Sequence, residues 1–149
     1  MRGMPIELTS LDDFLSFART LGARLEAGDV IALSGALGAG KTTFVRGLVA
    51  GRNGSDPVSS PTFTFWHHYP GEVPFEHLDL YRIDSQDELR ELGLEEAFSP
   101  HSVAVVEWPD RAAVLLPPDV LRVAIAGSGA GPRRIDLSAS GPRSARLLE

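Results

Sequence analysis

Gly35-Ala36-Leu37-Gly38-Ala39-Gly40-Lys41-Thr42 is the stretch that decides how this chain is read. It has the spacing G-x-x-x-x-G-K-[ST] of a phosphate-binding loop. Each residue type has a physical task there. Glycines let the backbone wrap closely, so that the N–H groups of Leu37, Gly38, Ala39 and Gly40 can point at anionic oxygens. A helix opening directly after the loop adds the partial positive charge of its N-terminus. Lys41 brings a compact ammonium to the β- and γ-phosphates of a nucleoside triphosphate, and Thr42 offers its hydroxyl to Mg²⁺. The chain has fourteen basic residues, of which Lys41 is the single lysine. A position that keeps lysine in so arginine-rich a chain suits a site that would not fit a planar guanidinium fork.

The flanks of the loop agree with this reading. Asp29-Val30-Ile31-Ala32-Leu33-Ser34 is a short apolar run and predicts a buried strand. A helix is expected from about Lys41 to Ala50, ended by Gly51. Upstream, Leu11, Phe14, Leu15, Ala18, Leu21 and Leu25 recur at helical spacing. Ser10 and Asp13 form the capping signal of that helix, and Gly28 ends it. Downstream, residues 53–61 read as a polar loop. Thr62 to Tyr69 and Phe75 to Tyr81 read as strands. Gln86 to Leu92 reads as a short helix with a break at Gly93. Ser102 to Val106 is a second fully apolar strand. Val120 to Ala126 and Ile135 to Leu137 pair as a hairpin across Gly127 to Pro132, and residues 141–149 form a short tail helix. Alternation of strand and helix predicts an α/β fold. We expect a P-loop NTPase-like three-layer α/β/α sandwich with a mixed, mainly parallel central sheet, as a single domain over residues 1–149.

Two carboxylates are candidates to complete the site. Val103-Ala104-Val105-Val106-Glu107 is an apolar strand ending in an acid, and in phosphate-loop proteins such an acid faces the metal. Glu107 is therefore the first candidate for magnesium, with Thr42. In His77-Leu78-Asp79-Leu80-Tyr81-Arg82, alternation puts His77, Asp79 and Tyr81 on one face. Asp79 either orders the attacking water or magnesium shell, or forms a salt bridge with Arg82; spacing alone leaves the two even. His77 reads as a structural histidine. Ser60 and Thr62 follow the polar loop, where a hydroxyl can sense a γ-phosphate or merely serve the turn at Pro61. Trp108 packs beside the nucleotide or belongs to the core.

Composition narrows the classes further. The chain has 149 residues, 43% hydrophobic and 23% charged, as ordinary globular domains do. It has no cysteine, which excludes disulfides and thiolate chemistry. A net charge of −6 argues against direct gripping of nucleic acid, so work on RNA is expected to pass through a partner. No apolar run reaches the ~20 residues of a membrane span. The N-terminus shows no signal peptide, and a cytoplasmic location is expected.

Several segments, in order, carry a resemblance to a known family: GALGAGKTTFVRGL at 35–48, SPTF at 60–63, HLDLYR at 77–82, ELGLEE at 91–96 and VEWPD at 106–110. The chain resembles the bacterial tRNA threonylcarbamoyladenosine biosynthesis ATPase family TsaE (YjeE). The resemblance spans roughly Leu8 to Leu137. It implies an ATPase using ATP and Mg²⁺ that works with TsaD and TsaB. That assembly transfers a threonylcarbamoyl group to the adenosine beside the anticodon, and the ATPase permits repeated cycles. It further implies catalytic roles for Lys41, Asp79 and Glu107, with magnesium on Thr42 and Glu107. Nucleotide contacts then extend to Thr43, Ser60, Thr62 and Trp108. Leu11, next to Ser10, is expected to border the adenine, and Arg134, chosen over Arg133, to reach the nucleotide. Ala36 departs from the acid usual in the family, on the outer rim of the loop.

Rival classes fare worse. A small nucleotide or metabolite kinase needs an acceptor site and usually a lid with arginines, and no arginine-rich lid segment follows the loop. A guanine-specific switch protein reads its base with Asn-Lys-x-Asp. The one asparagine, Asn53, is followed by glycine. A non-catalytic nucleotide-dependent module stays open on sequence alone.

Overall fold

The computed structural model describes residues 1–55, 57, 60–63 and 65–149, with side chains for all of these except 60–63. Eight strands form one sheet: β1 (Ile6–Leu8), β2 (Val30–Gly35), β3 (Ser60–Phe63), β4 (Trp66–Tyr69), β5 (Phe75–Asp79), β6 (Val103–Glu107), β7 (Leu121–Ala126) and β8 (Arg133–Ala139). Their order is β1-β8-β7-β2-β6-β5-β4-β3. The middle four, β7-β2-β6-β5, are parallel. Antiparallel strands extend the sheet on both sides. Helices α1 (Leu11–Ala23) and α2 (Lys41–Asn53) cover one face. A thinner layer covers the other: α3 (Gln86–Glu91) and the 3-10 turns at Leu94–Ala97 and Pro109–Ala112. The fold is thus the expected mixed α/β sheet between helical layers.

Burial explains the sequence patterns. All five residues of β6 and the first four of β2 are buried, because both faces are covered, and both read as continuous apolar runs. Strand β7 alternates instead: Leu121, Val123 and Ile125 are buried, while Arg122, Ala124 and Ala126 are exposed. The thinner layer stops short of it.

Several boundaries differ from expectation. Gly51 does not end α2, which runs to Asn53 and closes at Gly54, a left-handed residue whose N–H bonds Ala50 O at 2.8 Å. Gly51 is there for packing. A Cβ on it would lie 2.0 Å from Arg19 O, and one on Gly22 would lie 2.2 Å from Leu48 O. These glycines let α1 and α2 cross almost backbone to backbone. Helix α1 ends at Ala23 with Arg24 as its cap, before Gly28. The single strand expected over Thr62 to Tyr69 is a hairpin of β3 and β4. Strand β1, at the sheet edge, was not expected at all.

The C-terminal helix α4 (Pro142–Ala145) is tied to the sheet by a buried acid. Asp29, 3% exposed, accepts from Arg143 Nε at 2.6 Å and from Arg146 Nη1 at 3.1 Å. The hydrogen bond to Asp29 raises the Arg146 pKa. Asp29→Ala is expected to lower unfolding free energy in urea by roughly 2–3 kcal/mol, under the value for fully buried pairs because both arginines reach solvent. A loss below ~0.5 kcal/mol would show the pairs to be ordinary surface ones.

Candidate active site

The glycine-rich loop lies between β2 and α2, beyond the C-terminal ends of the parallel strands, where open α/β sheets bind ligands. Gly38 (φ 83) and Gly40 (φ 100) take left-handed backbone that few other residues adopt. Leu37 is exposed at the loop tip, and Ala39 is buried against the body. Lys41 is 7% exposed at the first turn of α2. Its ammonium donates to Gly35 O and sits 4.3 Å from the centre of the Trp108 ring. Among the described residues no carboxylate pairs with this cation, and the carbonyl and ring face hold it.

The two candidate acids meet at the same place. Parallel pairing sets Asp79 beside Glu107, each at the last position of its strand. Phe75 and His77 precede Asp79 on its face of β5, and Val103 and Val105 precede Glu107 on its face of β6. Phe75, Val103 and Val105 pack in the cluster under α1 and α2, so both acids face the phosphate loop. A pocket of ≈ 330 Å³ is lined by Lys41, Thr42, Thr43, Asp79, Glu107 and Trp108, together with Leu37, Gly38, Gly40 and Tyr81. Asp79 Oδ1 accepts from the Tyr81 amide at 3.2 Å. Among the described residues no ion pair joins Asp79 to Arg82, so the salt-bridge alternative is not what the structure shows.

Glu107 is 3% exposed, and His77 Nε2 bonds its Oε2. Tyr69 stacks on His77 with ring centres 6.5 Å apart. Burial raises the Tyr69 pKa, against the opposing charge of Arg46, so the phenol stays neutral here. Trp108 takes left-handed backbone (φ 57, ψ 53), the one non-glycine with positive φ among the described residues. Such backbone costs of order 1–3 kcal/mol and concentrates at functional sites. It brings the indole against Lys41 and Tyr81, whose ring centre is 5.1 Å away.

A second cavity of ≈ 320 Å³ adjoins the first and shares Gly40 and Thr43 with it. Leu8, Leu11, Phe14 and Ala39 give it apolar walls, and Gly129 to Gly131 and Arg133 close one side. Leu11 is therefore placed at this cavity. Of the two neighbouring arginines, Arg133 rather than Arg134 lines this cavity. Arg134 is exposed and pairs with Asp136 at 3.3 Å. Arg133 shares the face of buried Ile135 and reaches the loop. It donates to Ala39 O at 2.8 Å and to Gly129 O at 2.9 Å. Strand alternation counted back from Ile135 points to residue 133, not 134. Ala36 is exposed on the outer side of the loop, in a cleft with Pro109 to Arg111. Ser60 and Thr62 belong to β3, but their side chains lie outside the described residues.

The family model for "Threonylcarbamoyl adenosine biosynthesis protein TsaE" matches residues 8–135. The chain belongs to the TsaE family. Among its relatives is the tRNA threonylcarbamoyladenosine biosynthesis protein TsaE of Bacillus subtilis, 39% identical over 90% of this chain and 84% of that one. The Treponema pallidum protein of the same name is 35% identical over 87% of this chain and 96% of its own. A crystal structure of Bacillus subtilis YdiB matches with a TM-score of 0.80 and 32% identity, covering 99% of this chain and 93% of that one. The family match contains the phosphate loop, Asp79, Glu107, Trp108 and Arg133 of this TsaE-family chain. No helix among the described residues is long and apolar enough to cross a membrane.

Proposed function

We propose that this chain hydrolyses ATP with Mg²⁺ within tRNA threonylcarbamoyladenosine biosynthesis, together with TsaD and TsaB, and meets tRNA through them. One observation carries the chemical part: Asp79 and Glu107, from neighbouring strands, converge with Lys41 and Thr42 on one pocket. Membership in the family and the names of its relatives carry the pathway.

The residues fit a magnesium nucleotide. Among the described residues no group of three or more His, Cys, Asp or Glu forms a cage for a metal. Magnesium does not need one, because it is bound through one or two carboxylates and the phosphates of its nucleotide. Thr42 and Glu107 supply the hard oxygen ligands such a site requires. When bound, the ion neutralises phosphate charge. The loop amides of Leu37 to Gly40 cradle the phosphates, and Lys41 exchanges Gly35 O and the Trp108 ring for phosphate oxygens. Asp79 orders water in line with the terminal phosphate and takes its proton. The apolar cavity of Leu8, Leu11 and Phe14 receives the base, and Arg133 bounds it. Loss of the phosphate releases the Ser60–Thr62 segment and changes the surface offered to the partners.

Asp79→Asn separates binding from chemistry. It is expected to keep ATP affinity by calorimetry while phosphate release falls about 10²–10⁴-fold, the range for a lost general base. Unchanged release would remove Asp79 from the reaction and leave the convergence of the two acids without a catalytic meaning.

A further inference from the structure

The buried histidine beside the phosphate pocket has a task that its sequence context does not reveal. His77 is 3% exposed, two residues before Asp79 on the same face of β5. Its Nε2 and Glu107 Oε2 share a hydrogen bond, with both side chains almost fully buried. The other ring nitrogen, Nδ1, is buried and has no hydrogen-bond partner among the described residues. Tyr69 stacks against the ring, and His67 lies 6.0 Å from it, centre to centre. Among the described residues a proton on Nδ1 would be a buried donor with no acceptor, whereas a bare Nδ1 leaves only an unused lone pair. These contacts support an Nε2–H donated to Glu107 Oε2.

Resting on the magnesium nucleotide reading above, we infer that His77 is a positioning residue: it holds Glu107 Oε2, fixes the carboxylate rotamer and leaves Oε1 for the magnesium shell in the pocket. A free glutamate has three side-chain torsions to settle before it can serve a metal. The His77 donor settles them in advance, as outer partners do for metal ligands generally. It also leaves the carboxylate with one committed oxygen instead of two that compete for the ion. Asp79 needs no such partner, because its Oδ1 is already held by the Tyr81 amide.

The test compares wild type, His77→Gln and His77→Phe. Gln places an N–H near the position of Nε2, and Phe fills the space with no donor. ATP binding is titrated by calorimetry across Mg²⁺ concentrations and again in EDTA. His77→Phe is expected to need roughly 10–100-fold more Mg²⁺ for the same tightening of ATP binding. His77→Gln is expected to recover most of that loss, and all three proteins bind ATP alike in EDTA. A Phe variant with the wild-type Mg²⁺ requirement overturns the inference. So does a Gln variant as impaired as Phe while both melt at the wild-type temperature. A wild type whose ATP binding ignores Mg²⁺ overturns the nucleotide reading itself, and the positioning role with it. Should the Phe variant not fold, ¹⁵N NMR of the wild-type imidazole decides. A ring that carries a proton on Nε2 supports the assignment, and one protonated on Nδ1 alone refutes it.

Discussion

Lys41→Ala is expected to lower ATP hydrolysis by roughly 10²–10³-fold, the cost of removing one preorganised donor from a developing anion. The protein is expected to stay folded, because among the described residues Lys41 Nζ bonds only Gly35 O and the Trp108 face. Lys41→Arg is expected to restore none of the activity despite keeping the charge. Lys41 is 7% exposed, in a space shaped for one ammonium, and a guanidinium fork has a different shape and hydrogen-bond geometry. Steady-state phosphate release by the three proteins checks this. An arginine variant near wild-type activity would mean that charge alone suffices and that the tight geometry around Nζ is incidental.

Gly51→Ala is expected to destabilise the fold by about 3 kcal/mol or more, at the upper end for overpacking. At this chain length that lowers the melting temperature by roughly 6–12 °C. An added Cβ would stand 2.0 Å from Arg19 O, a backbone atom that moves only if α1 moves. Gly54→Ala is the control. Among the described residues nothing lies within 4 Å of a Cβ there, so the left-handed φ of 73° is what resists the change, at about 1–2 kcal/mol. In an ordinary exposed helix, Gly to Ala would instead gain about 1 kcal/mol. Thermal melts of the two variants separate these terms. A Gly51→Ala protein as stable as wild type would show that α1 and α2 do not pack this closely.

These two sites also show what a sequence reading can and cannot reach. The phosphate loop and the apolar strand ending in Glu107 were legible because their chemistry is local: glycines, one lysine, and a carboxylate after four apolar residues. Gly51 reads as a helix end in sequence because the glycine is visible there and Arg19 O, the atom that demands it, is not. The β3–β4 reversal was missed because Phe63 and Trp66 flank it with aromatics and no glycine, proline or asparagine marks it. Strand β1, three residues long, gives too little alternation to register. The place of Arg133 at the cavity is legible from alternation, since Ile135 sets the inward phase of β8 and Arg134 falls on the other face. His77 was seen to share a face with Asp79. Its role waited on the β5–β6 register, which alone brings Glu107 within reach.

The measurement that bears most directly on the proposed function is ATP turnover by this protein, alone and with TsaD, TsaB and tRNA, using Lys41→Ala as the blank. Slow turnover alone, a clear rise with the partners and none in the variant are expected. ATP binding with turnover that the partners and tRNA leave unmoved would contradict the assignment of this pocket to threonylcarbamoyladenosine synthesis.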